Sequence, residues 1–211
     1  MRYRVGPSVI AANWTVCYEE LERAKEGDFI HVDVMDGHFV PNLTLGPDLA
    51  RAIHERTGKP LDVHLMLTHP DRYIHRFVLP GVFRITVHYE SSAFLSSTLR
   101  RIREAGLKAG IAISPDTPVS RLLKLLDKVD QVLVMTVYPG FAGQRMLEWV
   151  LPKVSELDRM RREMDLNFTI TVDGGVKWEN LSKIGPADEV IMGAAFFRGR
   201  KPAGTDPGSP L

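Results

Sequence analysis

The feature that most constrains the fold is a repeated alternation of short apolar segments with helical segments. Apolar runs typical of β-strands recur between residues 5 and 192, and a helical pattern follows nearly every one. Strands joined in this way lie parallel in one sheet. Roughly eight such units in a chain of this length favour a closed (β/α)8 TIM barrel over an open doubly wound sheet. We therefore predict an α/β fold of the barrel type.

The barrel is predicted to occupy residues 1–197 as a single domain, followed by an irregular tail over residues 198–211. The tail reads RGRKPAGTDPGSPL, and its prolines and glycines rule out a regular helix. We therefore expect the eighth helix of the barrel to be missing or replaced by this tail. Apolar surface beside the first and last strands would then need cover, from the tail or from a second subunit of a homo-oligomer.

Charge and cysteine content exclude several classes of partner. The 27 basic and 26 acidic side chains nearly cancel, and no basic cluster indicates nucleic acid or a membrane surface. No apolar run approaches the roughly 20 residues of a membrane span, and the first residues make a poor signal peptide. The single Cys17 has no intrachain partner, which fits a reducing compartment. We expect a cytoplasmic protein that binds a small molecule.

Residues 29–42, with the sequence FIHVDVMDGHFVPN, carry polar groups on one side of a strand. Alternate side chains share a face, so His31, Asp33 and Met35 lie together, opposite the apolar residues between them. Enclosing an unpaired charge there would cost several kcal/mol. A bound metal would satisfy both polar groups. A surface histidine and aspartate at a strand end remain the alternative on this stretch alone.

Four polar side chains fall at the carboxyl ends of predicted strands, where barrels of this kind have their active sites. His31 and Asp33 close the second strand, His64 closes the third, and Asp173 closes the seventh. A lone core histidine is more often a hydrogen-bonded structural residue than a ligand. The shared position of all four favours convergence on one divalent cation. Two imidazoles and two carboxylates suit zinc, and also iron(II), manganese or cobalt.

Loops after the late strands suit phosphate binding. Backbone N–H groups in glycine-containing loops and at helix N-termini bind phosphate, and barrels commonly hold it after their late strands. Glycines in such loops can also make nothing more than a tight turn. The loop residues are Gly140, Phe141, Ala142, Gly143, Gly174, Gly175, Gly193 and Ala194. Three strand-end methionines, which usually pack in cores but can shape a pocket, are Met35, Met66 and Met135.

Three further polar residues are assigned supporting roles. His88 closes the fourth strand and is assigned to structure, with contact to the pocket as the alternative. Asp62 shares the face of His64 but lies deeper, so a hydrogen bond to a ligand is expected. Asp36 has the opposite parity to Asp33 and is expected to hold the following loop.

Six motifs resemble the ribulose-phosphate 3-epimerase family in order and spacing. They are PSVIAAN, HVDVMDGHFVPNLTLGP, LDVHLM, TVHYE, MTVYPGFAGQ and VDGGV, between Val5 and Phe197. The resemblance implies a metal-dependent enzyme that interconverts D-ribulose 5-phosphate and D-xylulose 5-phosphate through an enediolate. It implies that Asp33 and Asp173 are the acid/base catalysts and bind the metal together with His31 and His64. It also implies that Ser8, His64 and the loop residues above contact the sugar phosphate.

Departures from the family pattern leave the choice of sugar open. Ala194 stands where the family usually has a hydroxyl residue, so weaker phosphate binding is expected. The stretches FAGQ, NLTL and SPDTP also resemble the allulose-6-phosphate 3-epimerase branch, which performs the same chemistry on a hexulose phosphate. A non-catalytic sugar-phosphate-binding barrel is another alternative. A metal-independent decarboxylase or aldolase would need a lysine at a strand end beside these carboxylates, and none occurs there.

Overall fold

A nearly closed barrel of eight parallel strands forms the molecule. The computed structural model describes residues 3–91 and 94–199. The strand order is β1-β8-β7-β6-β5-β4-β3-β2, and a parallel bridge between Ser8 and His31 brings the two edges together. The strands are β1 (Arg4–Pro7), β2 (Ile30–Met35), β3 (Leu61–Met66), β4 (Val82–His88), β5 (Lys108–Ile113), β6 (Gln131–Met135), β7 (Thr169–Asp173) and β8 (Glu189–Met192). The predicted (β/α)8 fold is confirmed.

Some of the helical segments that the sequence predicts on the outside of the barrel are not α-helices. The α-helices are α1 (Cys17–Ala24), α2 (Pro47–Thr57), α3 (Leu95–Glu104), α4 (Pro152–Glu163) and α5 (Ala194–Arg198). The helical segments predicted after β3, β5 and β7 form 3-10 turns instead, at Pro70–Arg72, Ile74–Arg76, Val119–Leu122, Leu126–Lys128 and Trp178–Lys183. Segments this short gain too few backbone hydrogen bonds to offset the cost of nucleating an α-helix. Across the described residues, no helix has the length and apolar character that crossing a membrane requires.

A short helix follows β8, where the sequence predicts none. Helix α5 buries Phe197 in the core, and Arg23 of α1 donates a hydrogen bond to the Phe197 carbonyl at 2.9 Å. Apolar surface beside β1 and β8 is therefore partly covered by α5. Residues 200–211 of the predicted tail lie outside the described residues, so the domain boundary and the covering role of the tail stay predictions.

Inward-facing side chains at the amino end of the barrel form a closed ionic network. Arg84 donates to Asp62 at 2.8 Å and to Glu189 at 2.7 Å, and all three side chains are buried. Phe29 fills the space beside them. A Cβ atom on Gly6 would lie 2.3 Å from the Phe29 ring, so only glycine leaves room for this ring. The floor of the barrel is thereby packed, and the opposite end is left for binding.

Candidate active site and metal centre

The four predicted ligands converge at the carboxyl ends of β2, β3 and β7. One ligand atom from each of His31, Asp33, His64 and Asp173 lies within 4.8 Å of the others. His31 Nε2 is 3.3 Å from Asp33 Oδ1 and 3.9 Å from Asp173 Oδ2. His64 Nδ1 is 3.1 Å from the same Asp33 oxygen. Parallel strands place their carboxyl ends at one rim, and side-chain alternation turns these residues inward.

His31 is oriented by a buried carboxylate below it. Asp62 Oδ2 lies 2.9 Å from His31 Nδ1. Burial raises the pKa of Asp62, but Arg84 and His31 outweigh burial and hold that pKa well below its usual range. An ionised carboxylate can only accept, so Nδ1 of His31 donates the proton. The hydrogen bond expected at Asp62 is present, and Asp62 accepts it from His31, which is a predicted metal ligand.

The other ring nitrogen of His31, Nε2, faces the centre of the cluster. His31 Nε2 is buried and has no hydrogen-bond partner in the part of the chain that the structure describes. It faces the carboxylates of Asp33 and Asp173. Buried polar atoms are rarely left unsatisfied, and a divalent cation between these groups would satisfy all of them. Two nitrogens and two carboxylate oxygens form a donor set that zinc and other first-row divalent metals accept.

A second histidine, His88, contacts His64 at the ring nitrogen that does not face Asp33. His88 Nε2 lies 2.9 Å from His64 Nε2, and the two rings stack with centroids 5.0 Å apart. His88 Nδ1 is 3.1 Å from Glu90 Oε2. Burial lowers the pKa of His64 and lowers that of His88 to about 4, so both rings are neutral at neutral pH. From the sequence, His88 was assigned a structural role and Glu90 was not identified. Arg84 and His88 are an even number of residues apart on β4, so both side chains lie on the inner face.

The ionisation of each residue in the cluster depends on the charges of its neighbours. Burial opposes ionisation of Asp33, but His31 and His64 outweigh it and lower the Asp33 pKa. Burial raises the pKa of Asp173 to about 7, and the nearby Asp33 charge adds to the effect. Burial opposes protonation of His31, but Asp33 and Asp62 raise its pKa well above the usual value. Protonation of His31 and Asp173 therefore competes with the binding of a cation to the same side chains.

Side chains on neighbouring elements fix the position of Asp33. Ser8, the residue after β1, donates its hydroxyl hydrogen to Asp33 Oδ2 at 2.5 Å. Thr44 donates to the Asp33 backbone oxygen at 2.6 Å and accepts the Met35 N–H at 3.0 Å. Asp36 accepts backbone N–H groups at His38, Phe39 and Thr68, which confirms its expected role in holding the loop.

A cleft opens directly above the cluster. Its walls include the three predicted methionines, Met35, Met66 and Met135. Most of the predicted loop residues also line it, namely Gly140, Phe141, Ala142, Gly143, Gly174, Gly175 and Gly193. Ala194 comes next, as the first residue of α5. The sequence did not indicate Gln144, which lines the cleft and braces the loop by donating to the Tyr138 and Phe141 carbonyls.

Two consecutive glycines after β7 allow backbone to reach the cleft. Gly174 and Gly175 have φ of 122° and 63°, values that side chains disfavour. A Cβ atom would lie 2.7 Å from the Val137 nitrogen at Gly174 and 2.3 Å from the Met146 nitrogen at Gly175. The loop therefore requires glycine at both positions.

Asn42 connects two loops across the rim of the cleft. Its side-chain amide donates to the Gly140 carbonyl at 2.8 Å, and Gly140 itself has φ of 126°. The loop after β2 and the loop after β6 are therefore joined at the rim of the cleft. This tie fixes the mouth through which a small substrate would enter.

Comparisons with known proteins agree with this geometry. The family model described as "Ribulose-phosphate 3 epimerase family" matches residues 4–197. The ribulose-phosphate 3-epimerase of Bacillus subtilis is 42% identical over 199 residues, covering 92% of each chain. That of Aquifex aeolicus is 38% identical and covers 92% of this chain and 89% of its own.

Solved structures support the fold independently. A tryptophan synthase A-subunit from Pyrococcus furiosus superimposes with a TM-score of 0.64 at 15% identity, covering 92% of this chain and 87% of its own. Identity this low supports the barrel alone. The family is shown instead by the extent of the family-model match and by relatives about two-fifths identical over nearly the whole length. The chain belongs to the ribulose-phosphate 3-epimerase family.

Proposed function

We propose that the protein is a metal-dependent 3-epimerase that interconverts D-ribulose 5-phosphate and D-xylulose 5-phosphate. The observation that carries this proposal is the pair of carboxylates, Asp33 and Asp173, beneath one cleft. Their ligand atoms lie within 4.8 Å of each other and of the two histidine nitrogens. Membership of a family whose relatives carry this name supports the same reaction.

The reaction requires two acid/base groups. Inverting the carbon next to a ketone removes its proton on one face and returns a proton on the other. Asp33 and Asp173 are proposed as these groups, and the direction of reaction decides which one acts first. The hydrogen bond from Ser8 holds the Asp33 carboxylate in one orientation. The apolar methionine wall keeps bulk water from the reacting carbon.

His31, Asp33, His64 and Asp173 are the residues that would hold one divalent metal ion. An ordinary aspartate, with a pKa of about 3.9, is a weak base toward a C–H proton. A bound cation would stabilise the negative charge that develops on the substrate oxygens. We propose zinc for this ion, with iron(II), manganese and cobalt as alternatives that the same donor set accepts.

The phosphate group is proposed to bind the glycine-containing loops. Ser8 lines the cleft beside Asp33 and Asp173, whereas Gly175 and Gly193 line it from the loops after β7 and β8. His64 is buried next to Asp33, so a contact between His64 and the substrate stays a prediction. This arrangement would place the sugar carbons over the cluster and the phosphate at the late loops. Ala194 offers only its backbone N–H there, so its missing hydroxyl is expected to weaken phosphate binding.

A homo-oligomer and a cytoplasmic location stay predictions. Exposed apolar side chains at the start of α1 support a contact between subunits, since Val16 is 42% and Tyr18 is 59% exposed. Light scattering on the purified protein tests the oligomeric state, and a monomer would contradict it.

Deuterium exchange at C3 of ribulose 5-phosphate in D₂O, followed by NMR with and without added divalent metal, tests the function. Metal-dependent exchange accompanied by xylulose 5-phosphate is the expected result. Exchange with allulose 6-phosphate alone would assign the hexulose branch. A protein that binds either sugar phosphate but exchanges neither C3 proton would be a binding barrel, which contradicts the proposal.

A further inference from the structure

The two glycines after β7 have carbonyl groups that are held by side chains. The Gly174 carbonyl oxygen lies 2.6 Å from the hydroxyl of Thr136, the residue after β6. The Gly175 carbonyl accepts the side-chain amide of Asn180 at 3.0 Å. Gly174 and Gly175 line the cleft, whereas Thr136 and Asn180 do not. Both carbonyls are therefore held on the side of the loop that faces away from the cleft.

Thr136 is fixed by its main chain as well as by its side chain. Its N–H donates to the Asp173 carbonyl and its carbonyl accepts the Leu147 N–H, both at 2.7 Å. The residue is fully buried. Its hydroxyl has one hydrogen and lies 2.6 Å from the Gly174 carbonyl and 3.0 Å from the Asp173 carbonyl. The shorter contact assigns that hydrogen to Gly174.

The side-chain amide of Asn180 is fixed at both of its ends. Its Oδ1 accepts the Lys177 N–H at 2.8 Å, and its Nδ2 donates to the Gly175 carbonyl. Exchanging the oxygen and the nitrogen would place two donors together at one end and two acceptors together at the other. The amide therefore presents a donor to Gly175.

Each held carbonyl determines the direction of the N–H group in the same peptide unit. A trans peptide is planar, so the Gly175 N–H points away from Thr136 and the Val176 N–H points away from Asn180. Neither N–H donates to a protein group in the part of the chain that the structure describes, although Val176 is buried. Buried N–H groups without an acceptor are rare. Successive N–H groups left open in this way form a concave site for an anion.

We propose that Thr136 and Asn180 are positioning residues that turn the N–H groups after the two held carbonyls toward the substrate phosphate. This inference rests on the phosphate placement in the proposed function and adds to it two residues outside the cleft. Thr136 also contacts Asp173 through its N–H and Gly174 through its hydroxyl. The loop after β7 is thereby fixed relative to the proposed acid/base group.

Binding of inorganic phosphate tests the proposal without turnover. The purified ¹⁵N-labelled protein is titrated with phosphate, and the amide shifts give Kd. Thr136→Val keeps the shape and the main-chain contacts but removes the hydroxyl. A hydrogen bond of this kind is worth roughly 2- to 10-fold in an equilibrium constant, and we expect Kd to rise in this range. Thr136→Ser keeps the hydroxyl and should restore binding, whereas Asn180→Ala should weaken it to a similar extent.

Thr57→Val is the matched control. The buried Thr57 hydroxyl donates to the Ile53 carbonyl on α2 at 2.6 Å, and neither residue lines the cleft. Its Kd for phosphate should equal that of wild type. A folded Thr136→Val or Asn180→Ala variant that binds phosphate as tightly as wild type would overturn the role proposed for that residue.

Steady-state epimerisation separates this role from a general structural one. Thr136→Val retains the N–H that contacts the Asp173 carbonyl, so most of its effect should be on KM rather than on kcat. A fall in kcat with unchanged KM would contradict the assignment to phosphate binding.

The amide shifts of the wild-type protein test the proposal without any variant. Gly175 and Val176 should be among the amides that move most when phosphate is added. Absence of a shift at both would overturn the proposal even if every variant misfolds, and C3 exchange in such a protein would leave the epimerase function intact. A protein that shows these shifts but exchanges no C3 proton would contradict the epimerase function and leave this inference supported.

Discussion

The two ends of the barrel interior handle buried charge in opposite ways. At the amino end, Arg84 is paired with both Asp62 and Glu189. At the carboxyl end, Asp33 and Asp173 lie near a buried His31 nitrogen that has no hydrogen-bond partner among the described residues. Removing charges from water is costly unless they are paired. The charged side chains at the amino end are paired with one another. The cluster at the carboxyl end has the donor groups to bind a ligand such as a metal ion.

Asp62 contacts both the ionic network at the amino end and the metal cluster at the carboxyl end. One of its oxygens accepts from Arg84 and the other accepts from His31. The closed network therefore serves as the foundation that orients a metal ligand. The contrast shows why the inner face of one barrel can be a structural core at one end and a reactive site at the other.

Asp173→Asn should give the largest effect, on turnover. The amide cannot exchange a proton with the substrate, so turnover should fall by roughly 10²- to 10⁴-fold. Steady-state epimerisation with saturating metal measures this, and circular dichroism checks the fold. Asp188→Asn changes a carboxylate at the amino end of the barrel and should keep turnover near wild type. Equal turnover in Asp173→Asn and wild type would remove Asp173 from the reaction.

Arg84→Met should most reduce stability. It leaves the buried Asp62 and Glu189 without their shared partner, and breaking a buried pair costs about 3–5 kcal/mol. Urea denaturation measures the change in free energy of unfolding. Arg4→Met is the control, because Arg4 contacts the same Glu189 but its side chain is 54% exposed and Arg84 still pairs with Glu189 when Arg4 is removed, so a smaller loss is expected. Similar losses in both variants would contradict the view of the amino end as a buried network.

Metal should stabilise the carboxyl end. At a free concentration about 100 times its Kd, a bound ion adds about 2.7 kcal/mol to the free energy of unfolding. For a chain of this size, each kcal/mol corresponds to about 2–4 °C in Tm. Thermal unfolding with Zn²⁺ and with EDTA measures the shift. Asp33→Asn should reduce it strongly, and an unchanged shift in that variant would place the metal elsewhere.

Ala194→Ser should give the smallest effect, on phosphate affinity. A new hydroxyl beside Gly193 supplies one more hydrogen bond, a gain of about 0.5–1.5 kcal/mol, or roughly 2- to 10-fold. Inhibition by inorganic phosphate and KM for the sugar phosphate both measure it. Ala195→Ser, one residue further along α5, should change neither. A gain from Ala195→Ser alone would mean that Ala194 does not face the phosphate.

Most of the barrel could be predicted from sequence because its strands are buried on both faces. Strands β3, β5 and β8 form where the sequence has short, mainly apolar runs. The helical connections were less predictable, since an amphipathic pattern does not say how many turns a short segment sustains. Helix α5 was not predicted, and it ends at Arg198, before the proline-rich residues that argued against an eighth helix in the tail.

Strand-end parity was enough to predict His31, Asp33, His64 and Asp173 as neighbours. The link from His64 to His88 was not predictable in the same way. It depends on the register in which β3 and β4 pair, with His64 opposite Thr86, and on Glu90 in the 3-10 turn that follows β4. Neither feature leaves a periodic signal in the sequence.

The bridge between Ser8 and His31 has a consequence for folding. It joins the two edges of the sheet, and it links a residue that orients Asp33 to a metal ligand. The ligands come from β2, β3 and β7, so a chain still emerging from the ribosome lacks a complete site until Asp173 has been made. Appearance of high-affinity metal binding during refolding would therefore report that the carboxyl ends of β2, β3 and β7 have come together.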